Sequence, residues 1–128
     1  MLAFGTVKLK GIDEIFDQLT GMTRSKLNHL YAGDIEAESR FECLSFADDA
    51  GASNFVGLEH ISGRIGDRKG GFIVQHIGWV KSGRTESTLN VLRGSGTGEL
   101  IGIKGHGRTT WTSETDKPSQ VLLEYSFD

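Results

Sequence analysis

Short β-type runs, separated by glycine, aspartate or serine turns about every ten residues, constrain this chain more than any other feature. That spacing is typical of β-sandwiches and β-barrels. A length of 128 residues suits one domain with one core, so we assign residues 1–128 to a single all-β domain. We predict strands at residues 3–10, 23–32, 35–46, 54–66, 69–80, 84–92, 103–113 and 120–127.

Alternation within these runs predicts which side chains face the interior. In the third run Phe41 and Cys43 alternate with charged residues, and in the seventh and eighth runs Trp111 and Tyr125 lie on the apolar side. Small residues also occupy the predicted inner face, so the interior is either tightly closed or contains a cavity.

One segment departs from the strand pattern. Apolar residues fall at Ile12, Ile15, Phe16 and Leu19, which is a helical spacing. We therefore predict a short helical cap near residues 12–19 at one end of the barrel. It would serve either as a plug that keeps water from the core or as a lid for a ligand.

The second run leaves two arrangements open. A two-residue turn at Gly33–Asp34 would direct its charged and amide side chains inward, namely Arg24, Lys26 and Asn28. A bulge near Gly33 would instead direct the apolar and aromatic set inward, namely Leu27, His29 and Tyr31.

The segment from Phe55 to Gly78 predicts a hairpin that carries the main chemical candidates. With a turn centred on Asp67–Arg68, Glu59 lies directly opposite His76 on an otherwise apolar face. A buried carboxylate and imidazole can share a proton or form an ion pair, which suits general acid–base catalysis. The same pair also suits an internal hydrogen bond that fixes strand register. A turn one residue longer would place His60 across from His76 instead.

The outer face of that hairpin is also apolar. His60 would lie opposite Gln75 among apolar neighbours, namely Val56, Leu58, Ile73, Ile77 and Trp79. We expect a second subunit to cover this face, which makes the protein a homo-oligomer. A covering loop is the alternative.

The glycine-rich segment Gly94–Gly107 does not match a nucleotide-binding motif. It has no Gly-Lys followed by Ser or Thr, and no full helix follows its glycines. We predict a tight crossing loop, in which glycines take positive φ and allow strands to approach closely, and we predict no cofactor. The four histidines lack metal-site spacing, so we predict no metal site either.

Charge and composition exclude some classes of partner. The net charge is −3 and the basic residues are dispersed, which argues against nucleic acid as a partner. No apolar stretch approaches the roughly 20 residues that span a bilayer. One cysteine excludes an internal disulfide, and the N-terminal residues lack the features of a signal peptide, so we expect a cytoplasmic protein.

Four segments together resemble a family of small bacterial proteins known only as a domain of unknown function. They are Gly33–Glu36, Phe55–Glu59, Val74–His76 with Gly78, and the GSGTGELIGIKG loop. The resemblance implies an eight-stranded antiparallel barrel of the allene-oxide-cyclase type, a calycin-like relative in shape of the lipocalins. The glycine loop is also similar to that of plant allene oxide cyclases and dirigent proteins. No catalytic positions of those proteins match, so none is carried over.

Three functions follow as hypotheses. The preferred one is a barrel that binds a small apolar or amphipathic molecule with residues Phe41, Phe55, Phe72, Trp111, Tyr125 and Cys43. The second is an isomerase or cyclase in which His76 acts as acid or base and Glu59 orients or replaces it. The third is an oligomeric structural or assembly module that uses the outer apolar face. Whether the protein is an enzyme stays open at this point.

Overall fold

Eight antiparallel strands form a closed barrel in the computed structural model, which describes residues 1–112 and 119–128. Each strand pairs with the next along the chain, and β8 pairs with β1 to complete the ring. The strands are β1 Leu2–Phe16, β2 Met22–Gly33, β3 Ile35–Ala47, β4 Ser53–Ile65, β5 Arg68–Lys81, β6 Arg84–Val91, β7 Ile103–Thr112 and β8 Ser119–Phe127.

The predicted fold class and the positions of the second to eighth strands are confirmed, with ends that differ by at most one residue. The predicted end of the seventh strand, Ser113, lies outside the described residues. Within the described residues, the only helical element is a short 3₁₀ turn, Gly98–Leu100. It is too short to cross a membrane, and nothing helical in residues 1–112 and 119–128 is long and apolar enough to do so.

The predicted helical cap near residues 12–19 is wrong, because β1 continues as a strand to Phe16. The reason is a bulge at Lys10: Leu9 pairs with His29, but Gly11 pairs with Asn28. An extra residue changes the local spacing of inward side chains from two to three, so Leu9 and Ile12 both line the interior. That local spacing of three resembles a helical period in the sequence.

The bulge alternative for β2 is correct. Tyr31 pairs with Ala37, whereas a two-residue turn at Gly33–Asp34 would pair Tyr31 with Glu36. Gly33 has a φ of +109°, and the Asp34 carboxylate accepts a hydrogen bond from the backbone of Phe4. As a result Leu27, His29 and Tyr31 face the interior, while Arg24, Lys26 and Asn28 are exposed.

The β4–β5 hairpin turns one residue earlier than predicted, at Gly66–Asp67. Gly66 has a φ of +59°, which glycine permits at the first position of a two-residue turn. Glu59 therefore pairs with Val74, and His76 pairs with Gly57, rather than with each other. His60 likewise lies across from Ile73. Because the register differs by two residues, every side chain keeps the predicted face.

The two ends of the barrel differ. The end where β3, β5 and β7 begin is filled by a core that includes Ile35, Ile65, Phe72 and Ile103. Leu100, from the 3₁₀ turn, is buried in this core, so the glycine loop closes this end. The other end contains the cavity described below.

The glycine loop has the predicted close contacts. Thr97 exchanges hydrogen bonds with Gly71: its backbone N–H donates to the Gly71 carbonyl, and its side-chain oxygen accepts from the Gly71 N–H at 3.0 Å. Gly98 and Gly102 have φ values of +62° and +84°. A side chain on Gly70 would collide with the Thr97 backbone. The loop therefore has a structural role in sealing the barrel.

Candidate functional site

Glu59 lies at the centre of the barrel and is completely buried. Its Oε1 accepts a hydrogen bond from Nε2 of His76 at 2.6 Å. Its Oε2 accepts from the Tyr31 hydroxyl at 2.7 Å, lies 3.1 Å from Nδ1 of His29, and also accepts from the Ser39 hydroxyl. Four side chains from β2, β3 and β5 therefore surround one carboxylate on β4, and both of its oxygens are bonded.

These contacts keep Glu59 ionised. Burial by itself raises the pKa of the carboxyl group, because it penalises the charged form. Hydrogen bonds from His29 and His76, together with electrostatic attraction from those rings, have the larger combined effect and hold the pKa of Glu59 well below its usual range. The Tyr31 pKa is raised by burial and by the Glu59 charge, so the phenol stays a neutral donor.

A second chain of hydrogen bonds begins on the other side of His76. Its Nδ1 lies 3.0 Å from the hydroxyl oxygen of Ser87 on β6. That oxygen lies 2.6 Å from the hydroxyl oxygen of Thr109 on β7. The ring of Phe41 packs against the His76 ring, with centroids 4.4 Å apart. Both ring nitrogens of His76 are therefore bonded, and the orientation of the ring is fixed.

The proton positions on His76 follow from its partners. An ionised carboxylate only accepts hydrogen bonds, so Nε2 carries a proton. In the neutral ring Nδ1 then has a lone pair, and the Ser87 hydroxyl donates to it. The Glu59 carboxylate, the His76 imidazole and the Ser87 hydroxyl therefore lie on three adjacent strands, β4, β5 and β6.

A cavity of about 430 Å³ lies above this cluster, at the barrel end where β4, β6 and β8 begin. Most of its wall is apolar, formed by Val7, Leu9, Ile12, Leu27, Phe41, Phe55, Val80 and Trp111. Its polar part includes His29, His76, Ser87 and Thr109. The site is thus an apolar chamber with a polar floor.

The structure brings together most of the residues predicted to contact a ligand. Phe41, Cys43, Phe55 and Trp111 line the cavity, and so does His76. Two predicted residues lie elsewhere. Phe72 is part of the core at the closed end, and Tyr125 packs edge-on against Phe127, with centroids 6.0 Å apart. Both face inward as predicted, but alternation cannot show how far along the barrel a residue lies.

Cys43 has the properties of a packing residue. Burial raises the pKa of the Cys43 thiol. A hydrogen bond with Ser25 lowers this pKa and the charge of Glu14 raises it, so the pKa is raised overall. The thiol therefore stays protonated, which makes it a poor nucleophile.

The sequence did not reveal the other members of the site. His29, Tyr31 and Ser39 reach Glu59 from strands 20 to 30 residues away in sequence. Ser87 and Thr109 are short polar residues at inward positions, and alternation on β6 and β7 is the one signal that could have marked them. Among residues 1–112 and 119–128, no three His, Cys, Asp or Glu side chains are arranged to hold a metal ion.

Comparisons with known proteins agree with this architecture. Residues 6–125 match a family model described as a protein of unknown function, DUF3224. A crystal structure of a protein with unknown function from that family, from Shewanella oneidensis MR-1, is 26% identical, with a TM-score of 0.82 over 100% of this chain and 97% of the other. No curated protein matches the chain significantly. Since the family model covers nearly the whole sequence, this chain belongs to the DUF3224 family, whose function is unknown.

Proposed function

We propose that the barrel binds one small amphipathic molecule in the cavity above Glu59 and His76. The observation that carries this proposal is the combination of an apolar wall and a polar floor in one chamber of about 430 Å³. Small-molecule sites commonly have volumes of about 300–1,000 Å³ and the same mixture of apolar lining and few polar groups.

The apolar wall supplies the driving force for binding. A ligand that buries about 200 Å² of apolar surface gains roughly 5 kcal/mol at about 25 cal/mol per Å². Part of this gain offsets the loss of translational and rotational freedom. Phe55 and Trp111 present large aromatic surfaces to the chamber. We therefore expect binding to weaken when the chamber is filled by a larger side chain.

The polar floor orients the ligand. Glu59 is already bonded by four side chains, so a ligand has no need to contact it directly. Its role is to hold His29 and His76 in place. The imidazole of His29 and the hydroxyl of Thr109 line the chamber and can bond a polar group on the ligand.

Binding can be tested with the fluorescent probe 1-anilinonaphthalene-8-sulfonate, a small amphipathic anion whose own fluorescence rises when it leaves water for an apolar site. We expect saturable binding, with an affinity about tenfold weaker in Ser45→Phe, which fills the chamber. The matched control is Ser126→Phe, at an exposed position on β8, which should bind like the wild type. Absence of saturable binding, or equal weakening in both variants, would refute the proposal. If the probe binds saturably, native mass spectrometry of protein purified from its own host would identify a retained natural ligand.

A catalytic function is the second candidate. The observation that favours it is that His76 lines the chamber, with Nε2 bonded to Glu59 and Nδ1 bonded to the Ser87 hydroxyl. An imidazole fixed in this way can move a proton to or from a bound molecule, as an isomerase or cyclase requires. Turnover of a bound compound that is lost in His76→Gln, with binding retained, would distinguish catalysis from binding alone.

We also propose that a second copy of the chain covers the outer apolar face. In the single chain, Val56, Leu58, Ile77 and Trp79 are 39–52% exposed. Val56 pairs with Ile77 on one side and with Leu44 on the other, so the apolar side chains form one continuous patch across β3, β4 and β5. Continuous apolar patches of this kind are typical of subunit interfaces.

A further inference from the structure

We propose that Ser87 is a nucleophile toward acyl esters, with His76 as its general base and Glu59 as the residue that positions His76. The hydroxyl oxygen of Ser87 is 3.0 Å from Nδ1 of His76, and Nε2 of His76 is 2.6 Å from the Glu59 carboxylate. This activity goes beyond ligand binding, but it rests on the proposed function, because the ester must enter the same chamber.

The arrangement has the three parts that activate a serine hydroxyl. A buried carboxylate fixes the imidazole and stabilises its protonated form, and the free ring nitrogen accepts the hydroxyl proton. In serine proteases the carboxylate bonds Nδ1 and the serine bonds Nε2. Here the two nitrogens exchange these roles, but each group has the same function.

The surroundings of Ser87 fit this role. Ser87 and His76 are nearly buried, yet both line the chamber, so a ligand there can reach them. Phe41 packs on the His76 ring and limits its rotation. The hydroxyl oxygens of Ser87 and Thr109 are 2.6 Å apart, so Thr109 can donate to Ser87 while Ser87 donates to His76. The nucleophile is thus held in one orientation before any substrate binds.

The reaction would proceed in two steps. The Ser87 oxygen attacks the acyl carbon of an ester, and its proton passes to Nδ1 of His76. The bond from the acyl carbon to the leaving oxygen breaks, and that oxygen takes the proton from His76 and departs as an alcohol or phenol. Water then attacks the serine ester with His76 again as base, which releases the carboxylic acid and restores the Ser87 hydroxyl.

The chamber indicates the class of ester. Its apolar wall suits a short apolar acyl or aryl group, and its open end gives the departing alcohol a route to solvent. We therefore choose p-nitrophenyl acetate as the probe, because its phenol leaves readily and its release is followed by absorbance.

The decisive measurement is the mass of the protein after incubation with p-nitrophenyl acetate, followed by peptide mapping. We expect up to one acetyl group per chain, on Ser87, when the reaction is quenched with acid before water hydrolyses the serine ester. Ser87→Ala should abolish this adduct, and His76→Gln should slow its formation about 100-fold. Ser62→Ala, on the outer face of β4, is the matched control and should be acetylated like the wild type. Circular dichroism would establish that each variant is folded.

Glu59 needs a separate readout, because its loss also weakens the fold. In folded Glu59→Gln at low temperature, we expect the rate of Ser87 acetylation to fall by a larger factor than the affinity for the anilinonaphthalene probe. Acetyl groups only on lysines or on other residues, or none at all, would overturn the nucleophile proposal. If Ser87 is not acetylated but the wild type and Ser87→Ala both bind the anilinonaphthalene probe saturably, only the nucleophile proposal fails. If the wild type does not bind the probe saturably, the proposed binding function fails as well.

Discussion

Glu59 on β4 and His76 on β5 are bonded through Oε1 and Nε2 at 2.6 Å, although neither residue is the cross-strand partner of the other. Gly57 is the residue opposite His76, and Val74 is opposite Glu59. The absence of a side chain on Gly57 leaves space for the ring of Phe41, which packs against the His76 imidazole. The packing around the central pair thus depends on a glycine that takes no part in its chemistry.

Removal of the Glu59 charge is expected to destabilise the barrel strongly. In Glu59→Gln an amide replaces an acceptor bonded by four donors, so at least one buried donor loses its partner. We expect the free energy of unfolding, measured in urea, to fall by about 3 kcal/mol. Glu42→Gln, at an exposed position on β3, should change it little. A comparable loss in both variants would contradict the central role of Glu59.

Acid should destabilise the protein through the same carboxylate. The pKa of Glu59 is lowered in the folded state, so its contribution to stability is fully present above its ordinary pKa of 4.5 and is lost as the pH falls below that value. Each pH unit in that range should remove about 1.4 kcal/mol through this group. The measurement is urea unfolding from pH 6 to pH 2. Glu59→Gln should show a flatter dependence than the wild type, and parallel curves would show that Glu59 is not the responsible group.

Gly57→Ala should disturb the site without changing any of its polar groups. A Cβ atom at this position would lie 2.6 Å from the ring of Phe41 and 2.6 Å from Cβ of Cys43, so both must move. We expect a loss of about 1–3 kcal/mol in the free energy of unfolding. Gly11→Ala is the control, because its nearest neighbour there, Nδ2 of Asn28, is 3.7 Å away. Equal stability of the two variants would show that the interior adapts easily.

The outer face predicts the behaviour of the protein in solution. If a second copy covers Val56 and Ile77, the wild type should sediment as a dimer or larger assembly. Ile77→Lys should shift it toward the monomer, because a charge would be buried in an apolar interface. Ser126→Lys, at an exposed position on β8, should leave the assembly intact. A wild type that is monomeric at all accessible concentrations would rule out this role of the face.

The prediction of β1 failed for a physical reason that the other strands did not share. Between Leu9 and Ile12 the alternation is interrupted by a bulge, and the bulge is defined by how β1 pairs with β2. A local pattern cannot distinguish that interruption from the start of a helix. The turn of the β4–β5 hairpin was also placed one residue too late, yet Glu59 and His76 kept the same face because the register changed by an even number.

The sequence by itself determined the positions of the second to eighth strands, the inward faces of most of them, and the presence of Glu59 and His76 on the same inward face. These properties depend on alternation and turn residues, which act over a few neighbouring positions. Only the closed barrel decided that His29, Tyr31 and Ser39 surround Glu59, that Ser87 bonds His76, and that Phe72 packs in the core while Phe55 lines a cavity. Those contacts join strands far apart along the chain, and their positions follow from register and closure, which no local pattern encodes.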